Sequence, residues 1–111
     1  MSPKRHETQL VYAIRDALLA TGRVLLWRQN AGKLCDVHGR MVTYGIGVGS
    51  PDLVGILRPS GRFLAIEVKD PNGDPPTPEQ LAWHRAATAA GARVYVARSV
   101  AEALAGLPVE S

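Results

Sequence analysis

Cysteine is almost missing from this chain: Cys35 is the only one in 111 residues. One thiol cannot close an internal disulfide, and without a Cys partner it cannot supply a structural zinc site. Packing is therefore its expected role, and a reducing cytoplasm the expected compartment. Long apolar runs are missing too. No stretch approaches the ~20 residues of a membrane span, and the opening MSPKRHETQ lacks the apolar core of a secretory signal. Repeats and internal boundaries are likewise absent. What remains is ordinary for a soluble globular protein, with 46% hydrophobic and 21% charged residues. The length suits one domain over 1–111 built around one core.

A phosphate-binding loop is also lacking. Gly45-Ile46-Gly47-Val48-Gly49 is dense in glycine, but it leads into Pro51 and an apolar run instead of opening a helix, and no Gly-Lys-Ser/Thr follows. A flexible connector that lets a polyanion backbone lie close to Asp52 is the expected use.

The stretch Gly49 to Asp70, GSPDLVGILRPSGRFLAIEVKD, carries most of the chemistry. Leu53–Leu57 and Phe63–Ile66 have the length and composition of two strands, with Pro59-Ser60-Gly61 as the turn between them. Side chains alternate along a strand, so Glu67 and Lys69 share a side while Val68 points away. Pairing around the turn brings Asp52 and Glu67 to the same open end of the sheet. Two carboxylates in apolar surroundings repel unless a cation sits between them. A hard divalent ion such as Mg²⁺ or Mn²⁺ answers that need, since it takes oxygen ligands and keeps several waters. Lys69 is then placed to orient an attacking water or neutralise charge growing on a phosphate. Val68, between the two, can offer its backbone carbonyl as a further ligand. A bare E-x-K is common on solvated strands; Asp52 one hairpin earlier, directly after a proline, is what singles this one out.

Ser50-Pro51-Asp52 followed by Glu67-Val68-Lys69 resembles the signature of the PD-(D/E)XK nuclease superfamily. The chain is more closely similar to the VRR-NUC (virus-type replication-repair nuclease) domain family. The resemblance rests on Glu7 in an opening helix, Trp27-Arg28-Gln29-Asn30, Gly49–Leu53, Ile66–Lys69 and Thr77-Pro78-Glu79-Gln80, all in the family's order. Gln29 departs from it, standing where a second Asn is expected. The resemblance implies a restriction-endonuclease-like α/β fold and a Mg²⁺- or Mn²⁺-dependent DNA endonuclease. Stand-alone members look like homodimeric Holliday-junction resolvases of DNA repair, so branched, junction or flap DNA is the implied partner. The implied setting is a bacterial or phage-infected cytoplasm. The competing reading is a non-catalytic nucleic-acid-binding module on the same fold.

The remaining segments supply the frame. Residues 4–21 read as a helix whose stripe is Leu10, Val11, Ile14 and Leu18, with Glu7 at its start. Glu7 is either a first-turn acid favoured by the helix dipole or, as the resemblance implies, a carboxylate that extends the metal cluster. Val24–Trp27 reads as a strand. Arg28, Asn30 and Lys33 after it are candidate phosphate contacts, although Asn30-Ala31-Gly32 equally suits a plain turn. Asp36–Val42 reads as a small hairpin with His38-Gly39 at its tip and Arg40 beside it, an arm able to reach DNA or a partner subunit. Ser50 joins these DNA-facing candidates. Thr77 caps a helix with Pro78 at its first position and Gln80 closing a capping box. Its expected stripe is Leu81, His84 or Arg85, and Thr88, with Gly91 as the stop. The resemblance also puts Gln80 beside the active site, and His84 lies one turn beyond. A strand at Val94–Ala97 and a helix capped by Ser99 finish the chain. The expected order is αβββαβα around a mixed central sheet flanked by helices.

Charge is unevenly spread. Residues 1–48 hold seven Lys/Arg against three acids, and residues 49–111 hold six against seven. A basic half beside an acidic one suits a polyanion held against a cation site, although such patches are often only solvated faces.

Overall fold

A four-residue turn after a five-residue apolar run is the device around which the central sheet assembles. In a computed structural model, which describes residues 3–30 and 32–109 and, of these, leaves aside the side chains of 3–6, 32, 33 and 44, nine elements follow in order. They are α1 (Pro3–Ala20), β1 (Val24–Arg28), β2 (Gly32–Cys35), β3 (Met41–Tyr44), β4 (Leu53–Leu57), β5 (Phe63–Val68), α2 (Pro78–Ala89), β6 (Arg93–Ala97) and α3 (Val100–Gly106). The main sheet runs β1-β4-β5-β6, and β2-β3 form a separate ribbon. Set the ribbon apart and the rest reads αβββαβα, as expected. β1, β4 and β5 are antiparallel neighbours, while β6 returns through α2 to lie parallel to β5, which makes the sheet mixed.

Two faces divide the sheet's work. Val24, Leu26, Leu53, Leu57, Leu64, Ile66, Val68 and Ala97 point to one side and bury Val11, Ile14 and Leu18 of α1 together with Ala103 and Leu107 near the C-terminus. The i, i+3/i+4, i+7 spacing of α1 is what lets a single stripe meet that face. The opposite face is half covered. Helix α2 buries none of its residues, and Leu25, Trp27 and Ile56 remain partly open to solvent on β1 and β4.

Several expectations are refined by this packing. The ribbon begins earlier than the hairpin read from sequence: Gly32 pairs with Tyr44 and Cys35 with Met41, so Gly32 and Lys33 are strand residues and not a turn. Ala31 and the side chain of Lys33 lie outside the described residues. Asp36 shapes the tip, with its Oδ1 accepting from the backbone N–H of His38 and of Arg40. The inward face of α2 is Gln80, Trp83, His84 and Ala87, not the Leu81/Thr88 stripe; Leu81 and Thr88 are exposed because α2 meets the sheet with its other side.

Gly49 also has a packing role within the fold. Its φ is +85°, and a Cβ there would stand 2.5 Å from the Glu79 carbonyl oxygen. The close approach it permits is that of the first turn of α2 to the loop before Asp52.

Candidate active site

Register decides where the acids meet. Leu53 pairs with Ile66 across β4 and β5, so one step further out Asp52 stands opposite Glu67. Strand alternation turns Glu67 away from the core face that takes Ile66 and Val68, toward the side on which α2 lies. Asp52 is tied down at the same time, because the Val68 N–H donates to its Oδ2 at 3.0 Å. That leaves Oδ1 free of the hydrogen bond to the strand.

Glu67 is the anomaly of the molecule. It is 2% exposed, the one buried charged or polar residue among those described, and its Oε1 has no hydrogen-bond partner. Burial, then the neighbouring Asp52 carboxyl, push its pKa up from 4.5 to about 9, with Glu7 adding to the rise and Lys69 opposing it. These influences place Glu7, Asp52 and Lys69, three of the expected site residues, within electrostatic reach of Glu67. Glu7, Thr8, Val11, Arg28 and Asp52 line a cleft of about 120 Å³ at the end of the sheet. Glu7 therefore faces the site from the start of α1, which the dipole-and-solvent reading does not require.

Lys69 is held from both sides of its backbone. Its N–H donates to the Ala97 carbonyl at 3.1 Å, and the next residue's carbonyl accepts from Arg98 Nη1 at 2.6 Å. Arg98 also reaches the carbonyls of Gly73 and Asp74, pinning the proline-rich turn that follows.

Helix α2 starts with the full capping box: Gln80 N–H donates to Thr77 Oγ1, and Thr77 N–H to Gln80 Oε1 at 2.8 Å. The carbonyl oxygen of Gln80 is committed to the cap, and its amide NH₂ is what remains for the site. One turn later His84 turns its Nε2 toward Glu67 Oε1 at 3.7 Å. Burial, with Lys69 second, lowers the His84 pKa. The sequence placed His84 one turn beyond Gln80 but did not name Glu67 as its neighbour; the signal was the i+4 spacing from Gln80, on the same helix face.

Arg28 was expected among the phosphate contacts and lies at the cleft. Its Nη1 donates to the Tyr12 hydroxyl at 2.9 Å, and Tyr12 lies between the guanidinium groups of Arg28 and Arg15. Tyr12 as a support for Arg28 was missed, since nothing local in the sequence links α1 to β1. Ser50 accepts a 3.4 Å hydrogen bond from Gln29 Nε2, which also donates to the Asn30 carbonyl. Asn30 is exposed. Arg40 pairs with Asp36 at 3.4 Å on the ribbon tip, in an element apart from the sheet that carries the carboxylates.

The donor set suits a hard cation. Asp52 and Glu67 offer carboxylate oxygen, and Glu67 Oε1 is buried and unpartnered. Among the described residues no group of three or more His, Cys, Asp or Glu side chains is gathered closely enough to hold a metal ion. Mg²⁺ is typically held without one, by one or two carboxylates and several waters.

The model of the VRR-NUC domain family matches residues 7–101. A solved structure described as a VRR_NUC domain is 30% identical, with 90% of this chain and 91% of that chain covered and a TM-score of 0.60. No match was found among curated proteins. No helix among the described residues is long and apolar enough to cross a membrane.

Proposed function

Because the chain belongs to the VRR-NUC domain family, a nuclease family, we propose that it is a divalent-metal-dependent endonuclease that hydrolyses phosphodiester bonds in DNA. The observation that carries this reading is the buried Glu67 carboxyl beside Asp52, whose ionised form burial and like charge disfavour unless a cation neutralises it.

Asp52, Glu67 and the Val68 carbonyl would hold Mg²⁺ or Mn²⁺, with Glu7 extending the cluster. When bound, the ion supplies Lewis-acid polarisation of a phosphoryl oxygen and a more acidic attacking water. The protein's own groups do the rest. Lys69, on the Glu67 side of the strand, presents an ammonium where negative charge builds on the phosphate. Arg28, braced by Tyr12, neutralises a flanking phosphate in the cleft, and Ser50, Asn30, Lys33 and Arg40 provide lesser contacts. The amide NH₂ of Gln80, left over from the cap, would be its contribution to the site. The proposed substrate is branched, junction or flap DNA, read by its shape in a homodimer that offers two such sites, as the family resemblance implies.

The test is incubation with labelled junction, flap, single-stranded and linear DNA in Mg²⁺, Mn²⁺ or EDTA. Cleavage in either metal but not in EDTA is expected, strongest on branched substrates. No cleavage of any substrate in any metal overturns the reading in favour of a binding module.

A further inference from the structure

Two buried polar atoms face each other without a hydrogen bond: Glu67 Oε1 and His84 Nε2, 3.7 Å apart. The His84 side chain is 13% exposed and that of Glu67 3%. Buried polar atoms normally find partners, and an orphan on each side of one narrow gap is a poised contact. The gap is kept by rigid parts. Glu67 sits within β5, hydrogen-bonded to strands on both sides. His84 is one turn from a complete capping box, and the first turn of α2 is pressed against Gly49.

We infer that His84 is the positioning residue for Glu67, donating its Nε2–H to Oε1 when the carboxylate takes up a cation. The inference rests on the cation reading above. A carboxylate has two oxygens, and the Asp52 side of Glu67 is where a shared ion belongs. A donor on the opposite oxygen selects one orientation of the carboxylate plane and leaves the other oxygen for the ion. Charge on Glu67 is what draws the contact in, because a hydrogen bond to an ionised oxygen is shorter and stronger, about 2.8 Å between heavy atoms. A small torsion of Glu67 covers the difference from 3.7 Å without moving either backbone. His84 thus acts through Glu67, and neither touches substrate through it nor ligates the ion.

The experiment is calorimetric titration of Mn²⁺ into the full chain, without DNA, for wild type, His84→Leu and His84→Gln, with thermal melting of each metal-free protein. Leu fills the space with no donor. Gln carries an N–H to about the reach of Nε2. Removing such an outer partner commonly weakens metal binding about 10- to 100-fold, and that loss is expected for His84→Leu at an unchanged or higher metal-free melting temperature. His84→Gln should recover most of the affinity. Wild-type binding with His84→Leu within about twofold of it, well short of the usual loss, would overturn the inference and leave the cation reading standing. Equal weakness of the Leu and Gln variants would overturn the hydrogen bond. A wild type that takes up no Mn²⁺ would overturn the cation reading itself, and the inference with it.

Discussion

Asp52 anchors itself to the strand it faces: its Oδ2 accepts the backbone N–H of Val68 at 3.0 Å, while Val68 lies between Glu67 and Lys69. One carboxylate thereby fixes the end of the β4–β5 pair and keeps its second oxygen toward the site. Structure and proposed chemistry are separable at this residue. Asp52→Asn retains a carbonyl oxygen for Val68 and removes the charge. The metal-free variant should stay close to wild type in stability, since the amide oxygen can still accept from Val68. Wild type should gain about 2.7 kcal/mol from Mn²⁺ at a hundredfold excess over Kd, and the variant little of it. Thermal shifts with and without Mn²⁺ decide this, and equal shifts would remove Asp52 from the site.

Lys69 carries the rate prediction. Its ammonium matters most where charge builds on the phosphate, so Lys69→Ala and Lys69→Met should bind DNA in Ca²⁺ nearly normally. Their single-turnover cleavage in Mg²⁺ should fall about a hundred- to thousandfold. Met keeps the length of the stem, so equal loss in both variants assigns the effect to charge. Full activity in either one would exclude that role.

The pH dependence of metal-free stability follows from Glu67. Its folded pKa, about 9, lies above its ordinary 4.5 because burial and Asp52 favour the protonated form. A proton held more tightly in the folded state stabilises the fold fully below the unfolded value, and that contribution is lost as pH rises toward 9. Denaturant midpoints measured in EDTA should therefore fall between about pH 5 and pH 9, and Glu67→Gln should flatten the decline. A midpoint that rises with pH across this window in wild type would contradict the assignment.

Arg28 is expected to act on affinity rather than chemistry. Arg28→Ala should lower the slope of log affinity for DNA against log salt by roughly one, the mark of one lost phosphate contact. Tyr12→Phe removes the hydroxyl that accepts from Arg28 Nη1 and should give a smaller change in the same direction. An unchanged slope in Arg28→Ala would place the residue on a solvated face.

Two glycines separate backbone conformation from packing. Gly61, φ +80°, has open space where a Cβ would stand, whereas Gly49, φ +85°, has the Glu79 carbonyl 2.5 Å away. Gly61→Ala should cost about 1–2 kcal/mol, the left-handed penalty alone. Gly49→Ala should exceed that by about 1–3 kcal/mol, since α2 must be pushed off the loop before Asp52. Equal midpoints for the two variants in urea unfolding would show that the α2 contact is dispensable.

Local chemistry was enough for much of this molecule. The apolar runs Leu53–Leu57 and Phe63–Ile66, the Thr77–Gln80 capping box and the stripe of α1 depend on neighbours a few residues apart; all are present, the second run extended to Val68. The meeting of Asp52 with Glu67 was legible for the same reason, because a short turn between two apolar runs leaves few registers that keep both buried. Long-range packing set the rest. Which face of α2 turns inward depends on where the loop ending at Gly49 presses against Glu79, 30 positions away along the chain, and that contact leaves no periodic mark in either segment. The sequence left His84 and Arg85 as alternatives for the inward stripe, and in the fold it is His84 that lies 3.7 Å from Glu67. Tyr12 beneath Arg28 and the separation of β2–β3 from the main sheet have the same origin. Strand alternation says which side a residue takes, but only the assembled sheet and helices say what stands there.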